Sequence, residues 1–326
     1  MCDERAEKPA ERRTVLALDL SNSRSWLGLV DSVDGLLELR TLANTSQRGA
    51  VFWREVLRVA EEVAARASEP LAGIGVAFGG PVGRDGRARS LHVPGWADID
   101  LVGDLRARFG LPVRIENDAN CGALGEFHHG GWGELGTLVF MTCSTGIGGG
   151  IVSDGHLLRG SRGMAGEVGH CVVAPDGLPC PCGSRGCLEA QCSGSAIARR
   201  AMAALTAGRG RPSLLANKVV AGELPGAKPV FEAAAAGDAL AREVLAAVFA
   251  DFGRGLAMVF NIFDPDLIVV GGGVSLAGRD LTAPVAAAAQ SYLVPCPDRA
   301  LRFEPAALGL HSQLWGAAAL ILGPAV

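Results

Sequence analysis

Between His170 and Cys187 the chain reads HCVVAPDGLPCPCGSRGC, a run that constrains the fold more than any other. One histidine is followed by Cys180, Cys182 and Cys187 in a stretch dense in Gly and Pro and too polar for a core element. Buried cysteines behave as small hydrophobes and do not usually crowd into such a loop. Three thiolates and one imidazole complete a tetrahedral Zn²⁺ shell with no open position, as a structural site requires. Gly183 and Gly186 let the backbone fold tightly enough to bring the late sulfurs to one point. The spacing therefore predicts a structural zinc loop over 170–187, with His170, Cys180, Cys182 and Cys187 as ligands. Four protein ligands leave the metal no site for water, which argues against a zinc hydrolase.

The length of 326 residues suits two domains of ordinary size. A formal charge of −4 gives no electrostatic footprint for nucleic acid or an anionic membrane, so neither is expected as a partner. Nine cysteines could suggest disulfides, but their spacing points to metal. The opening MCDERAEKPAERR is charged throughout and lacks the apolar centre of a signal peptide. Residues 1–13 read as a flexible tail, Cys2 as an exposed thiol, and the protein as cytoplasmic. No run is read as a membrane span.

Hydrophobic patterning gives an alternating α/β order. Thr14 to Leu20 reads as a first strand, with Ser25 to Asp31 as its hairpin partner across a turn at Ser21 to Arg24. Phe52 to Ala67 has helical spacing, and Gly73 to Phe78 is a buried strand ending at Gly79-Gly80-Pro81. Leu101 to Phe109 reads as a helix. Val113 to Ile115 is a strand that delivers Glu116, Asn117 and Asp118 to its carboxyl end, where open α/β sheets bind ligands. A second, similar pattern begins at Thr137: a strand to Thr142, a Gly-rich turn over Ser144 to Gly150, and a returning strand over Ile151 to Ser153. Ser195 to Ala207 and Phe231 to Asn261 read as helices separated by a loop from Gly208 to Pro229. Leu267 to Val270 is a strand running into Gly271 to Gly273, and His311 to Leu322 is helical.

The zinc loop is preceded by GMAGEVGH and followed by Leu188-Glu189. With ENDAN at Glu116 to Asn120, LALDL at Leu16 to Leu20, GIGVAFGGPV at Gly73 to Val82, STGIGGGI at Ser144 to Ile151 and LIVVGGGVS at Leu267 to Ser275, the chain resembles the ROK family of sugar kinases and sugar-responsive repressors. The resemblance covers nearly the whole chain. It implies a two-domain, actin-like (ribonuclease H-like) α/β fold with an interdomain cleft. The small domain would take 14–120 plus 310–326, and the large one 121–309. It further implies a homodimer and an ATP- and Mg²⁺-dependent kinase acting on a sugar or sugar-like polyol.

Roles follow residue by residue. An isolated Asn-Asp pair is usually a helix cap or turn; the family analogy makes Asp118 the general base and Asn117 a sugar ligand. Glu167, His170 and Glu189 map onto further sugar contacts, since carboxylates accept paired hydrogen bonds from vicinal hydroxyls. One imidazole nitrogen of His170 would bind Zn²⁺ while the other faces a hydroxyl. Gly80, with its neighbours Gly79 and Pro81, and His92 to Trp96 are expected to wall the sugar pocket. STGIGGG offers a concave set of backbone donors for phosphate, with Thr145, Gly146, Gly148 and Gly149 as candidates. Gly271 and Gly272 fit the family's adenosine-side loop.

One segment departs from the family. Its kinases carry Asp-x-Gly-Gly-Thr where this chain has DLSNSR at Asp19 to Arg24. Asp19 and the hydroxyl of Ser23 are kept, but Ser21 and Asn22 replace both glycines, and neither takes up the conformations open to glycine as readily. Arg24 could bind phosphate in their stead. Two classes of function therefore stand: a kinase, or a sugar-binding sensor that has lost phosphoryl transfer. The family's repressor branch would need a helix-turn-helix ahead of the first strand, and a strand starting at Thr14 leaves no room for one.

Overall fold

TVLALDL forms strand β1 (Thr14–Leu20), buried along its entire length, which is why it reads as a continuous apolar run rather than an alternation. It pairs antiparallel with β2 (Arg24–Asp31), placing Asp19 opposite Trp26. β2 pairs in turn with β3 (Gly35–Ala43), a half-buried edge strand. Helix α1 (Gly49–Ala64) turns Phe52, Trp53, Val56, Ala60 and Val63 inward and returns the chain to β4 (Leu71–Phe78), parallel to β1. Asp100 caps α2 (Leu101–Phe109), accepting from the Gly103 N–H. β5 (Val113–Asn117) then lies parallel to β4 and runs directly into α3 (Asp118–His129). The sheet order is β3-β2-β1-β4-β5. The structure is a computed structural model, describing residues 12–21, 24–44, 49–83, 85–88, 99–208, 212–222, 226–277 and 281–323. The expected tail up to residue 11, Cys2, Asn22, Ser23 and His92 to Trp96 lie outside the described residues.

The chain divides into two compact units, after Cys121 and again after Gln313, so the first unit combines its early and final segments. The second unit repeats the plan of the first. β6 (Thr137–Cys143), β7 (Ile147–Ser153) and β8 (His156–Leu157) form an antiparallel meander. A single 3₁₀ turn spans Val168–His170. Then come α4 (Leu188–Cys192), α5 (Gly194–Thr206), α6 (Leu214–Val220), α7 (Lys228–Ala235) and α8 (Ala239–Phe263). β9 (Leu267–Gly271) lies parallel to β6, and after α9 (Gly273–Ala277) and α10 (Thr282–Ala289), β10 (Phe303–Pro305) lies parallel to β9. The order is β10-β9-β6-β7-β8, and the chain closes with α11 (Ser312–Leu322). Within the second unit, the buried Glu126 of α3 accepts from Ala307 N (3.1 Å), Leu308 N (3.0 Å), the Ser312 hydroxyl (2.7 Å) and Trp132 Nε1 (2.9 Å). Four donors satisfy a carboxylate that would otherwise be costly to bury.

Four sequence expectations need correction. The single helix over Phe231 to Asn261 is two, α7 and α8. Asp238 breaks it by accepting from the Ala241 N–H at 2.8 Å as the N-cap of α8. The same carboxylate accepts from Ser213 Oγ (2.7 Å) and Leu214 N (2.6 Å), which nucleates α6 inside what reads as a plain loop. The Gly-rich turn stops at Gly146: Gly148, Gly149 and Gly150 belong to β7, paired with Thr142, Met141 and Phe140. Finally, α8 does reach spanning length, with 25 residues and a mean hydropathy of 1.4. Its apolar length is explained by packing, because Val244, Val248, Phe252, Leu256 and Phe260 are buried in the core of the second unit.

Candidate functional site

The first unit places its candidate residues at the carboxyl ends of parallel strands, the position where ligands bind in open α/β sheets; in the second, Thr145–Gly146 after β6 and Gly271–Gly272 at β9 do the same. In the first unit these are the ends of β1, β4 and β5. ENDAN is both a cap and a site. Asn117 Oδ1 accepts from the Ala119 N–H (2.9 Å) and the Asn120 N–H (3.2 Å), capping α3. Its Nδ2 donates to Gly80 O (3.2 Å) and to Asp118 Oδ1 (3.1 Å). The side chain thus has a partner for each of its donors and both acceptor sites. Asp118 Oδ1 also accepts from Ala119 N at 2.8 Å. Glu116 steadies the motif by accepting from Asn117 N (2.9 Å) and Asn120 Nδ2 (3.1 Å).

Asp19, at the end of β1, is buried. Burial, reinforced by the neighbouring charge of Asp118, pushes its carboxyl well above the usual range. Ser21 closes the β1–β2 connection through its own hydroxyl, which donates to Arg24 O and accepts from Arg24 N at 3.4 Å. Arg24 begins β2 and is exposed.

In the second unit the 170–187 segment folds back on itself. Cys180 N donates to Ser184 O (2.8 Å), Gly186 N to Leu178 O (2.8 Å) and Val173 N to Gly186 O (2.9 Å). Gly183 at φ +94° and Gly186 at φ +70° make these reversals, in the region that glycine enters without cost. His170, Cys180, Cys182 and Cys187 converge, their ligand atoms all within 4.8 Å of one another. Cys180 Sγ lies 3.6 Å from His170 Nδ1, and Cys182 Sγ lies 3.6 Å from Cys187 Sγ. Zn–S bonds of about 2.3 Å in a tetrahedron put sulfurs ~3.8 Å apart, so the donor set fits zinc. Burial drives the Cys180 thiol up to about 12 and also raises Cys187, whereas the backbone hydrogen bond at Ser184 lowers Cys182. On the far side of the same ring, His170 Nε2 lies 3.8 Å from Glu167 Oε2. That is too long for a direct hydrogen bond and leaves room for a hydroxyl that touches both.

A cavity of about 450 Å³ opens beside the β6–β7 turn. Ser144 and Thr145 line it with Gly194 and Ser195 at the start of α5, Lys228 at the start of α7, and Gly273 opening α9. Of the expected phosphate residues, Thr145 borders this cavity. Gly146 completes the turn, with Ser144 N donating to Gly146 O at 2.9 Å. Gly149 lies in β7, where a side chain would strike Gly166 O at 2.6 Å; its smallness admits the turn segment that precedes His170. Gly148 pairs within the sheet, Gly271 ends β9, and Gly272 turns the chain into α9 at φ +92°. The pocket residues Gly194, Ser195 and Lys228 were absent from the sequence reading. Ser193, which caps α5 by accepting from Ala196 N at 3.2 Å, is the local signal that a helix N-terminus, favourable to anions, begins there.

Known proteins resemble this chain over most of its length. The glucokinase of Thermotoga maritima is 34% identical over 284 residues, covering 86% of this chain and 88% of that one. A solved ROK family glucokinase from Streptomyces griseus, in complex with glucose and AMPPNP, superposes with a TM-score of 0.80 at 31% identity, covering 94% of this chain and 98% of that one. The xylose repressor of Bacillus subtilis is 38% identical over only 127 residues, 39% of this chain and 33% of its own. The ROK family model matches residues 26–323, and the chain belongs to the ROK family.

Proposed function

We propose that this ATP-dependent sugar kinase transfers the γ-phosphoryl group of ATP to a hydroxyl of a hexose, with Asp118 as general base. The observation that carries the reading is the setting of Asp118 at the strand-to-helix junction, fixed by the Ala119 N–H and the Asn117 amide beside the buried Asp19. The sugar hydroxyl gives its proton to Asp118 as its oxygen bonds to phosphorus, and the bond to the β-phosphate oxygen breaks to release ADP. Glu167 and Glu189 accept from sugar hydroxyls, Asn117 contributes a further contact, and Gly80 lies alongside. His170 Nδ1 faces the thiols, so Nε2 carries the proton and donates to a hydroxyl shared with Glu167.

Zn²⁺ would be held by His170, Cys180, Cys182 and Cys187, where it orients the imidazole and the loop. Mg²⁺ arriving with ATP would draw on Asp19 and would neutralise phosphate charge. The nucleotide occupies the cavity beside Thr145 and Lys228, with phosphates toward the turn at Gly146. Glucose is the first substrate to test, because both glucokinases above act as its kinases by name. The experiment is ADP release against a panel of hexoses, N-acetylhexosamines and cyclitols. Hexose-dependent release is the expected result. Tight sugar binding without ADP release from any member would overturn the kinase reading in favour of a sensor.

A further inference from the structure

Cys187 belongs to the thiol cluster and is also the N-cap of α4. Two residues later, Glu189 Oε2 accepts from the N–H of Ile147, the first residue of β7, at 3.0 Å. The same short segment makes two more connections to the β6–β7 turn. Gly194 N donates to Ser144 O at 2.7 Å, and Cys143 Sγ lies 3.8 Å from Cys192 O. The stretch 187–194 therefore grips the Ser144–Gly146 turn from both ends. At Gly146 a side chain would start 2.3 Å from Glu189 Oε2, so the turn has been left bare on the side where the carboxylate lies. That turn lines the 450 Å³ cavity through Ser144 and Thr145.

We infer that Glu189 is a positioning residue of the nucleotide pocket, and that α4 transmits the order of the metal loop to the phosphate-side turn. The inference rests on reading that cavity as the nucleotide site. A charged acceptor on a part-buried backbone N–H holds it more strongly than a neutral one, and its loss removes that acceptor from the Ile147 amide. The turn has no side-chain closure of its own to replace it: Ser144 N to Gly146 O is a backbone bond. An acid bound only to sugar would have no need of this contact.

The test uses zinc-loaded full-length protein, with metal content checked by elemental analysis, and two readouts taken without sugar. These are calorimetric binding of a non-hydrolysable ATP analogue and amide hydrogen exchange over residues 145–149. Glu189→Ala is expected to weaken analogue binding about tenfold or more and to speed exchange in that segment. Glu189→Gln keeps an acceptor for Ile147 N–H and is expected to stay within about threefold of wild type in both. Chelator-stripped wild type should show the same faster exchange as Glu189→Ala. Exchange unchanged in both the zinc-loaded alanine variant and the stripped wild type overturns the inference. If exchange accelerates but no form binds the analogue, the nucleotide reading of the cavity fails while the link through α4 stands.

Discussion

Two hairpin turns hold the same place in two sheets of the same plan: β1 to β2 in the first unit, β6 to β7 in the second. The first is closed from within, by the Ser21 hydroxyl on the backbone of Arg24. The second has a backbone bond of its own, Ser144 N to Gly146 O, and is held from outside as well, by Glu189 and Gly194 on Ile147 and Ser144. A turn held by another element takes on that element's state. In this chain the outside hold comes from a segment that starts at a cluster thiol, Cys187, the N-cap of α4. The first turn has lost the family's glycines, and the second keeps its own.

The largest effect should come from a change that leaves both turns intact. Asp118→Asn is expected to lower kcat by roughly 10²–10⁴-fold, the usual cost of losing a general base. Sugar and nucleotide binding should stay close to wild type, measured by steady-state kinetics and calorimetry. Wild-type kcat in this variant would make Asp118 a ligand only. Next comes Cys182→Ser, which should lower zinc below the expected one per chain and lower Tm, because structural zinc contributes folding free energy directly. If the comparison of turns is right, the same variant also weakens nucleotide binding, though Cys182 does not line that pocket.

The first hairpin has its own acid-sensitive lock. Burial opposes ionisation of Asp31, yet hydrogen bonds from Asp34 N, Val33 N, Thr14 and Arg12 bring its carboxyl down to about 2. A folded-state value below the unfolded one gives stability that is present above about pH 4 and lost as pH falls toward about 2. The loss should be at most about 2 kcal/mol, read from chemical denaturation at stepped pH, and Asp31→Asn should flatten that dependence. The smallest effect is expected from Ser21→Gly, which removes one hydroxyl and frees the first turn. ATP affinity should rise by no more than about threefold.

What could be read from the sequence depended on how local its cause was. The convergence of His170 with Cys180, Cys182 and Cys187 was legible because the four lie within eighteen residues and the glycines between them mark the reversals. The buried strands β1, β4 and β9 announce themselves as apolar runs, and the motifs around them carried the family and the fold. β3 escaped notice because GLLELRTLA is a half-exposed edge strand with a weak pattern. The glycines at 148–150 read as a turn, although Gly149 is small because Gly166 passes close to it, a contact that no local pattern marks. The break at Asp238 is local, its carboxylate capping α8 at the Ala241 N–H, whereas α6 depends on the reach of that carboxylate to Ser213 and Leu214. Lys228 and Gly194 became pocket residues only when separate helix starts met at one cavity. Asn117 shows a different limit. As a cap and as a ligand it has the same sequence signature, and only the hydrogen-bond geometry reveals how fully its amide is engaged.

The central claim is that the externally held second turn, and not the self-closed first one, governs nucleotide affinity. Calorimetric titration of a non-hydrolysable ATP analogue into wild type, Ser21→Gly and Gly146→Ala compares the two turns directly. A methyl group at 146 would meet Glu189 Oε2 at 2.3 Å and force the clamp apart. The account predicts binding weakened about tenfold or more in Gly146→Ala and altered by less than about threefold in Ser21→Gly. The reverse ranking, with Ser21→Gly binding far more tightly and Gly146→Ala unchanged, would contradict it.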